Sequence, residues 1–281
     1  MKDNISQASC CMNSFFLTID GSQRFVLNFM PCGDVQINHT MIIIPPFADE
    51  MNKSRQSMSL LARRLAGCGY NVILFDLLGT GDSDGDFGDA TWQLWLRDIG
   101  EIYVWCKTNS HQSISFCAIR TGALLANDFI NSMNINIDNL VLWQPVLSGK
   151  NYLIHFLRLK IAADMIKVGG AKEGTKELIG IINNNQSVEI AGYRLSPELA
   201  LPLYESSLRN IKIDSTNIYW LETTLGDSLV ISLASTKMID SMTRNGANIN
   251  VFPVKGAQFW STQEITIAHE FVSATETLCC P

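Results

Sequence analysis

Histidine is scarce in this chain: there are 4 among 281 residues, against 27 acidic and 21 basic side chains. Long apolar runs are absent too. Met41-Ile42-Ile43-Ile44 and Leu140-Val141-Leu142-Trp143 fall far short of the roughly 20 residues that a membrane-spanning helix needs. No continuous apolar stretch precedes Phe15, so the N-terminus does not read as a signal peptide. No block of Lys and Arg offsets the net charge of −6, which argues against nucleic acid as a bulk electrostatic partner. No C-x-x-C pair gives the eight cysteines metal spacing, and no phosphate-binding glycine loop follows a strand, so neither metal nor cofactor is expected. Cys10-Cys11 and Cys279-Cys280 are adjacent pairs and the rest are single, a pattern that reads as reduced thiols in a cytoplasmic protein.

What is present is ample core material. Hydrophobic residues make up 47% and charged residues 17%. Residues 15–19 and 24–30 suggest a hairpin across the loop Asp20-Gly21-Ser22-Gln23. After it, continuous aliphatic runs (41–44, 72–75, 114–118, 140–143) alternate with helical patterns from Ser54, from Trp92 and from Gly122. That alternation predicts a mostly parallel, doubly wound sheet behind an antiparallel N-terminal hairpin. It is interrupted at about 148–214, which reads as a helical cap inserted into a single domain spanning 1–281. It resumes with strands at 218–221 and 249–254 and helices at 228–244 and 262–277.

Chemistry centres on Ala118-Ile119-Arg120-Thr121-Gly122, where an apolar strand turns directly into an Ala/Leu-rich helix. The pattern resembles the G-x-S-x-G nucleophile elbow of α/β-hydrolases, with Arg120 at the serine position. Arginine is no nucleophile, but it binds carboxylates and phosphates with paired hydrogen bonds. The other stations of that fold are altered as well. The oxyanion loop reads Pro45-Pro46-Phe47-Ala48, and Pro46 has no N–H to donate. Asp227 follows a late strand at the acid position, and Gln258 stands where the histidine belongs. The triad-equivalent positions are therefore Arg120, Asp227 and Gln258. A ligand-binding crevice is expected from Glu50, Asn52, Lys53, Arg120, Gln144 and Gln258, with Phe47, Trp143 and Trp260 as apolar walls. The bland alternative for Arg120 is an internal ion pair with Glu50.

The stretch Pro45-Pro46-Phe47-Ala48-Asp49-Glu50-Met51-Asn52-Lys53-Ser54-Arg55 resembles the P-P-F-A-E-E-M-N-K-S-R signature of the exosortase A system-associated hydrolase 2 family. Asp49 stands where that family favours Glu. Further matches are Gly81-Asp82-Ser83-x-Gly85-Asp86-Phe87, Arg120-x-Gly122-Ala123-Leu124-Leu125-Ala126, Leu142-Trp143-Gln144-Pro145-Val146, Phe156-Leu157-Arg158-Leu159 and Gly192-Tyr193-x-Leu195-Ser196. The resemblance implies an α/β-hydrolase fold and a bacterial protein that accompanies the PEP-CTERM sorting system and its exopolysaccharide locus. Three functions follow. The chain is a degenerate hydrolase, or pseudoenzyme, that binds a small anionic, acyl or glycan-type ligand. Alternatively it is an active hydrolase of esters, thioesters or peptides with a non-standard site, or a non-catalytic partner in the sorting or exopolysaccharide assembly.

Overall fold

The structure, a computed structural model, describes residues 10–33, 35–37, 39–109, 113–166, 173–211, 216–224 and 229–280. Strands β1 (Cys10–Ile19) and β2 (Ser22–Pro31) pair antiparallel with Ile19 opposite Ser22. The turn is thus two residues long, not the four expected. Asp20 and Gly21 both take positive φ, the conformation that lets a two-residue hairpin follow strand twist.

Behind the hairpin lie β3 (His39–Ile44), β4 (Tyr70–Phe75), β5 (Ser113–Ile119), β6 (Asn139–Trp143), β9 (Asn217–Thr224) and β10 (Asn248–Lys255). The eight-stranded sheet runs β1-β2-β4-β3-β5-β6-β9-β10, antiparallel through β2–β4 and parallel beyond. The expected mostly parallel sheet behind an antiparallel hairpin is what the chain forms.

Strand alternation splits the apolar runs between two cores. Ile42, Ile44, Phe116, Ala118, Leu140, Leu142 and Trp220 face α2 (Trp92–Asn109), α3 (Gly122–Met133) and α7 (Leu233–Arg244). Met41, Ile43, Cys117, Ile119, Val141 and Trp143 face α1 (Asp49–Gly67) and α8 (His269–Cys279). Each core is sealed by a helix with apolar residues at helical spacing, such as Met58, Leu61, Ala62 and Leu65 of α1.

Three boundaries differ from expectation. The first helix begins at Asp49, not Ser54, because Asp49 and Glu50 suit the positive end of the helix dipole. Ser54 is no cap; its hydroxyl donates back to the Glu50 carbonyl from inside the helix. The stretch after residue 228 is capped by Ser232, which accepts from the Ser235 N–H. The last helix starts seven residues late, at His269, after an irregular stretch.

Between β6 and β9 the chain leaves the sheet. It forms α4 (Gly149–Ile166), α5 (Thr175–Asn183), the ribbon β7 (Val188–Ile190) with β8 (Tyr193–Leu195), and α6 (Pro197–Glu205). The ribbon escapes the sequence reading, although Ala191-Gly192, both at positive φ, form its two-residue turn. Among the described residues no helix is long and apolar enough to cross a membrane.

The cysteine expectation needs correction. Disulfides join Cys11 to Cys32 and Cys68 to Cys280, leaving Cys10, Cys106, Cys117 and Cys279 free. Spacing hid them, because each pair becomes adjacent only through the hairpin register or the packing of α1 beside α8.

Candidate functional site

Three non-glycine residues after the carboxyl ends of strands take positive φ: Arg120 at 55° and Gln144 at 42° directly after β5 and β6, and Ala48 at 49° at the start of α1, four residues beyond β3. Such backbone costs on the order of 1–3 kcal/mol per residue, and it persists only where the surroundings enforce it. Here the enforcement is visible. The Arg120 N–H donates to the Trp143 carbonyl, and the Arg120 carbonyl accepts from Ala123 and Val146. A Cβ on Gly122 would lie 2.5 Å from the Ile44 carbonyl oxygen and 2.7 Å from that of Pro45. The elbow is therefore built as a nucleophile elbow, with a sharp turn and a residue too small to clash.

That contact gives a direct expectation. Gly122→Val should destabilise the chain by about 2–3 kcal/mol, since the obstructing atoms are backbone and cannot step aside. Urea unfolding with a fixed m-value measures it.

Arg120 stands on this elbow with its guanidinium fully engaged. Nε and Nη2 donate to Glu50 Oε2 and Oε1 at 3.2 and 3.1 Å, a bidentate pair, and Nη1 donates to the Gln144 carbonyl at 3.1 Å. The guanidinium carbon lies 4.5 Å from the centroid of the Trp260 ring, at cation–π distance. Side-chain exposure is 15% for Arg120 and 17% for Glu50. Burial pushes the Glu50 carboxyl above its ordinary value against the opposing pull of Arg120. Tyr152 of α4 is close enough to feel the pair: burial, then the Glu50 carboxylate, hold its phenol well above the usual range.

From Arg120 the bonds continue across the sheet. Gln144 Oε1 accepts from both the N–H and the hydroxyl of Thr223, linking β6 to β9. Beside Thr223, Glu222 is buried, with its oxygens accepting from Trp220 Nε1 and the Ser232 N–H. Asp227, the expected acid, lies outside the described residues. The acid that the described part of this station does place is Glu222, which sequence reasoning passed over. A carboxylate closing the apolar run Ile218-Tyr219-Trp220-Leu221 was the available signal.

The remaining expected residues divide. Phe47 is buried and meets Phe87, Trp95, Tyr152 and Phe156 at 5.1–5.9 Å, all edge-on, so it anchors α4 over the strand ends. Asn52 donates to the Tyr193 hydroxyl at 3.2 Å, and Lys53 pairs with Asp49 one turn back at 2.9 Å. Both sit in the first two turns of α1. Trp143 is no crevice wall. Alternation along β6 turns it to the opposite core, where its indole N–H donates to Thr275. Gln258 is exposed, and its Oε1 accepts from the Ser261 hydroxyl; Trp260, two residues on, is the one that reaches Arg120.

No described histidine stands at the elbow. His39 bonds Ser113 at the amino end of β3, His155 is exposed on α4, and His269 opens α8. His111 lies outside the described residues. Chemically, the assembled group is a neutralised cation on a strained turn, with a half-buried carboxyl as its counterion. It can exchange one anion for another, but it holds no hydroxyl–imidazole pair for acyl transfer.

The profile of a family described as serine aminopeptidase, S33, matches residues 43–190. Among solved structures, Est1E from Butyrivibrio proteoclasticus with bound ferulic acid aligns over 94% of this chain and 97% of its own, at TM-score 0.65 and 15% identity. A putative hydrolase from Agrobacterium vitis aligns over 97% and 100% at TM-score 0.59 and 13% identity. An alpha-beta serine hydrolase homologue from Coxiella burnetii aligns over 95% of each chain at TM-score 0.54 and 12% identity. At such identities the likeness speaks for the fold. No curated protein matches the sequence.

Proposed function

Because the chain belongs to the serine aminopeptidase, S33, family of α/β-hydrolases, yet presents a paired arginine where that chemistry needs a nucleophile, we propose that it is a non-catalytic member. It binds a small anionic, acyl or glycan-type ligand and does not cleave it. The observation that carries this reading is the bidentate Arg120–Glu50 pair on an elbow whose strained backbone is kept. An anionic ligand enters by exchanging its own carboxylate or phosphate for that of Glu50 on the guanidinium fork. Asn52 and Lys53 lie on the same helix as Glu50, and Trp260 supplies an apolar face. The described part of the insertion, from α4 to α6, acts as the cap over this site. The motif resemblance supports reading it as one of the exosortase A-associated group, a companion of sorting or exopolysaccharide assembly.

Native mass spectrometry of the purified chain tests the proposal, with Arg120→Ala and Glu50→Gln alongside. The ligand is expected to be lost in Arg120→Ala and held more tightly in Glu50→Gln, which frees the guanidinium. Equal ligand occupancy in all three overturns the assignment.

One observation favours a second reading. A half-buried carboxyl held above its usual range is a candidate general base. An active hydrolase using Glu50 and Arg120 would release acid from an ester, thioester or peptide panel, and Glu50→Gln would abolish that release. The two readings thus make opposite use of the same variant.

The sequence reading places the chain in the cytoplasm, whereas two disulfides are bonds of an oxidising compartment. Thiol labelling in denaturant of freshly opened cells decides between them: four labelled cysteines indicate oxidation, eight a reducing compartment.

A further inference from the structure

A second concavity lies apart from the elbow, between the start of α4, the end of α6 and one face of α7. It is an open cleft of about 990 Å³. Lys150, Arg209, Lys237 and Arg244 line it, against Glu205 and Asp240. Four cations facing two carboxylates reverse the sign of a chain whose net charge is −6.

The cations are placed by the fold and only partly offset by the two carboxylates. Lys237 and Arg244 are seven residues apart on α7, two turns along one face. The Lys150 ammonium is held 5.3 Å over the ring of Tyr204, which also lines the cleft. Arg244 Nε donates to the Asp240 carbonyl, fixing the side chain and leaving its terminal nitrogens for another partner. Among the described residues none of the four forms an ion pair. The four cations outnumber the two carboxylates of the lining, and an anion in the cleft relieves the repulsion that remains.

A single carboxylate would leave most of these groups unmatched, and the volume admits a ligand of nucleotide size. We propose that this cleft binds a small molecule bearing a diphosphate, with Lys237, Arg244, Arg209 and Lys150 as its cationic partners. The same chemistry is offered by free pyrophosphate and by a diphosphate carried on a larger group, such as a nucleoside diphosphate.

Isothermal titration of the full chain at low ionic strength, with inorganic pyrophosphate, ADP and UDP in separate runs, tests this. Pyrophosphate is expected to bind, and added NaCl to weaken it. Lys237→Gln and Arg209→Gln should each reduce affinity about tenfold, as lost charge-assisted contacts do. Both side chains are exposed, so an unchanged thermal melt separates lost binding from lost folding. Arg63→Gln, on exposed α1 surface of the opposite face, is the charge-matched control and should change affinity less than about twofold. Equal affinity for all three ligands assigns recognition to the diphosphate alone, and tighter nucleotide binding assigns added contacts to the carried group; both uphold the site. Absence of binding by all three up to millimolar concentration overturns it. So does an Arg63→Gln loss as large as that of Lys237→Gln, which would reduce the effect to bulk charge.

Discussion

Arg120→Ala is expected to lower the unfolding free energy at pH 7 by about 3 kcal/mol, the loss typical when one partner of a mostly buried ion pair is removed. The damage lies in what is left behind. Glu50 loses a bidentate donor and a countercharge while staying packed at the head of α1. Replacing both partners by apolar side chains, as in Arg120→Met with Glu50→Met, should stay within about 1 kcal/mol of the parent, because no charge is then stranded. The sign with pH is fixed by Glu50. Its folded-state carboxyl already titrates above the usual range, with burial the larger effect and Arg120 opposing it. Removing Arg120 raises it further. An acid with a raised folded pKa contributes stability that is fully present below the unfolded value and lost as pH rises through the folded one. The Arg120→Ala deficit should therefore be widest at neutral pH and close as the solution is acidified toward pH 4–5. Guanidinium melts across that range measure it, and a deficit independent of pH would contradict the assignment of the loss to Glu50.

The same pair shows what the sequence made legible. The sheet could be read because each buried strand is a short aliphatic run stopped by Pro, Gly or a polar turn, and those local signals act through backbone geometry. Ala118, Gly122 and the helical pattern after them identified the elbow for the same reason. The direction in which a strand-end side chain points is a different kind of information. Trp143 and Gln144 are adjacent, yet one faces α8 and the other bonds to β9, because alternation and a positive φ separate them. Gln258 and Trp260 are two residues apart in a loop, where no period tells which side chain reaches inward. Tyr152 and Phe156 sit four apart on a helix, but their target, Phe47, lies about a hundred residues away in sequence. The disulfides were hidden by the same long-range assembly.

Of those two bonds, Cys68–Cys280 should carry the larger effect, and Cys280→Ser is expected to lower the melting temperature by about 10 °C. The bond closes a sequence separation of 212 residues. Chain-entropy reasoning puts such a loop at about 5 kcal/mol, with less delivered wherever the unfolded chain keeps structure. Its position concentrates the effect. Cys68 caps the end of α1 and Cys280 the end of α8, so the bond clamps together the two helices that seal one face of the sheet. Arg64–Glu276 and the Tyr70 hydroxyl on the Cys279 carbonyl hold the same junction, but as partly exposed contacts of modest strength. Cys11–Cys32 spans only 21 residues within a hairpin already in register, and its removal should cost less. The neighbouring thiol does not rescue the variant readily: burial pushes Cys279 up to about 11, so little thiolate is present at neutral pH to re-form a bond with Cys68. A calorimetric scan with and without reductant gives the answer. Reductant, which also opens Cys11–Cys32, should bring the parent down to the melting temperature of the reduced Cys280→Ser variant while moving the variant far less. Coincident melts of parent and variant under oxidising conditions would mean that the noncovalent contacts of α8, among them Trp143–Thr275, the Ala268 N–H on Ser57 and Arg64–Glu276, hold it without the bond.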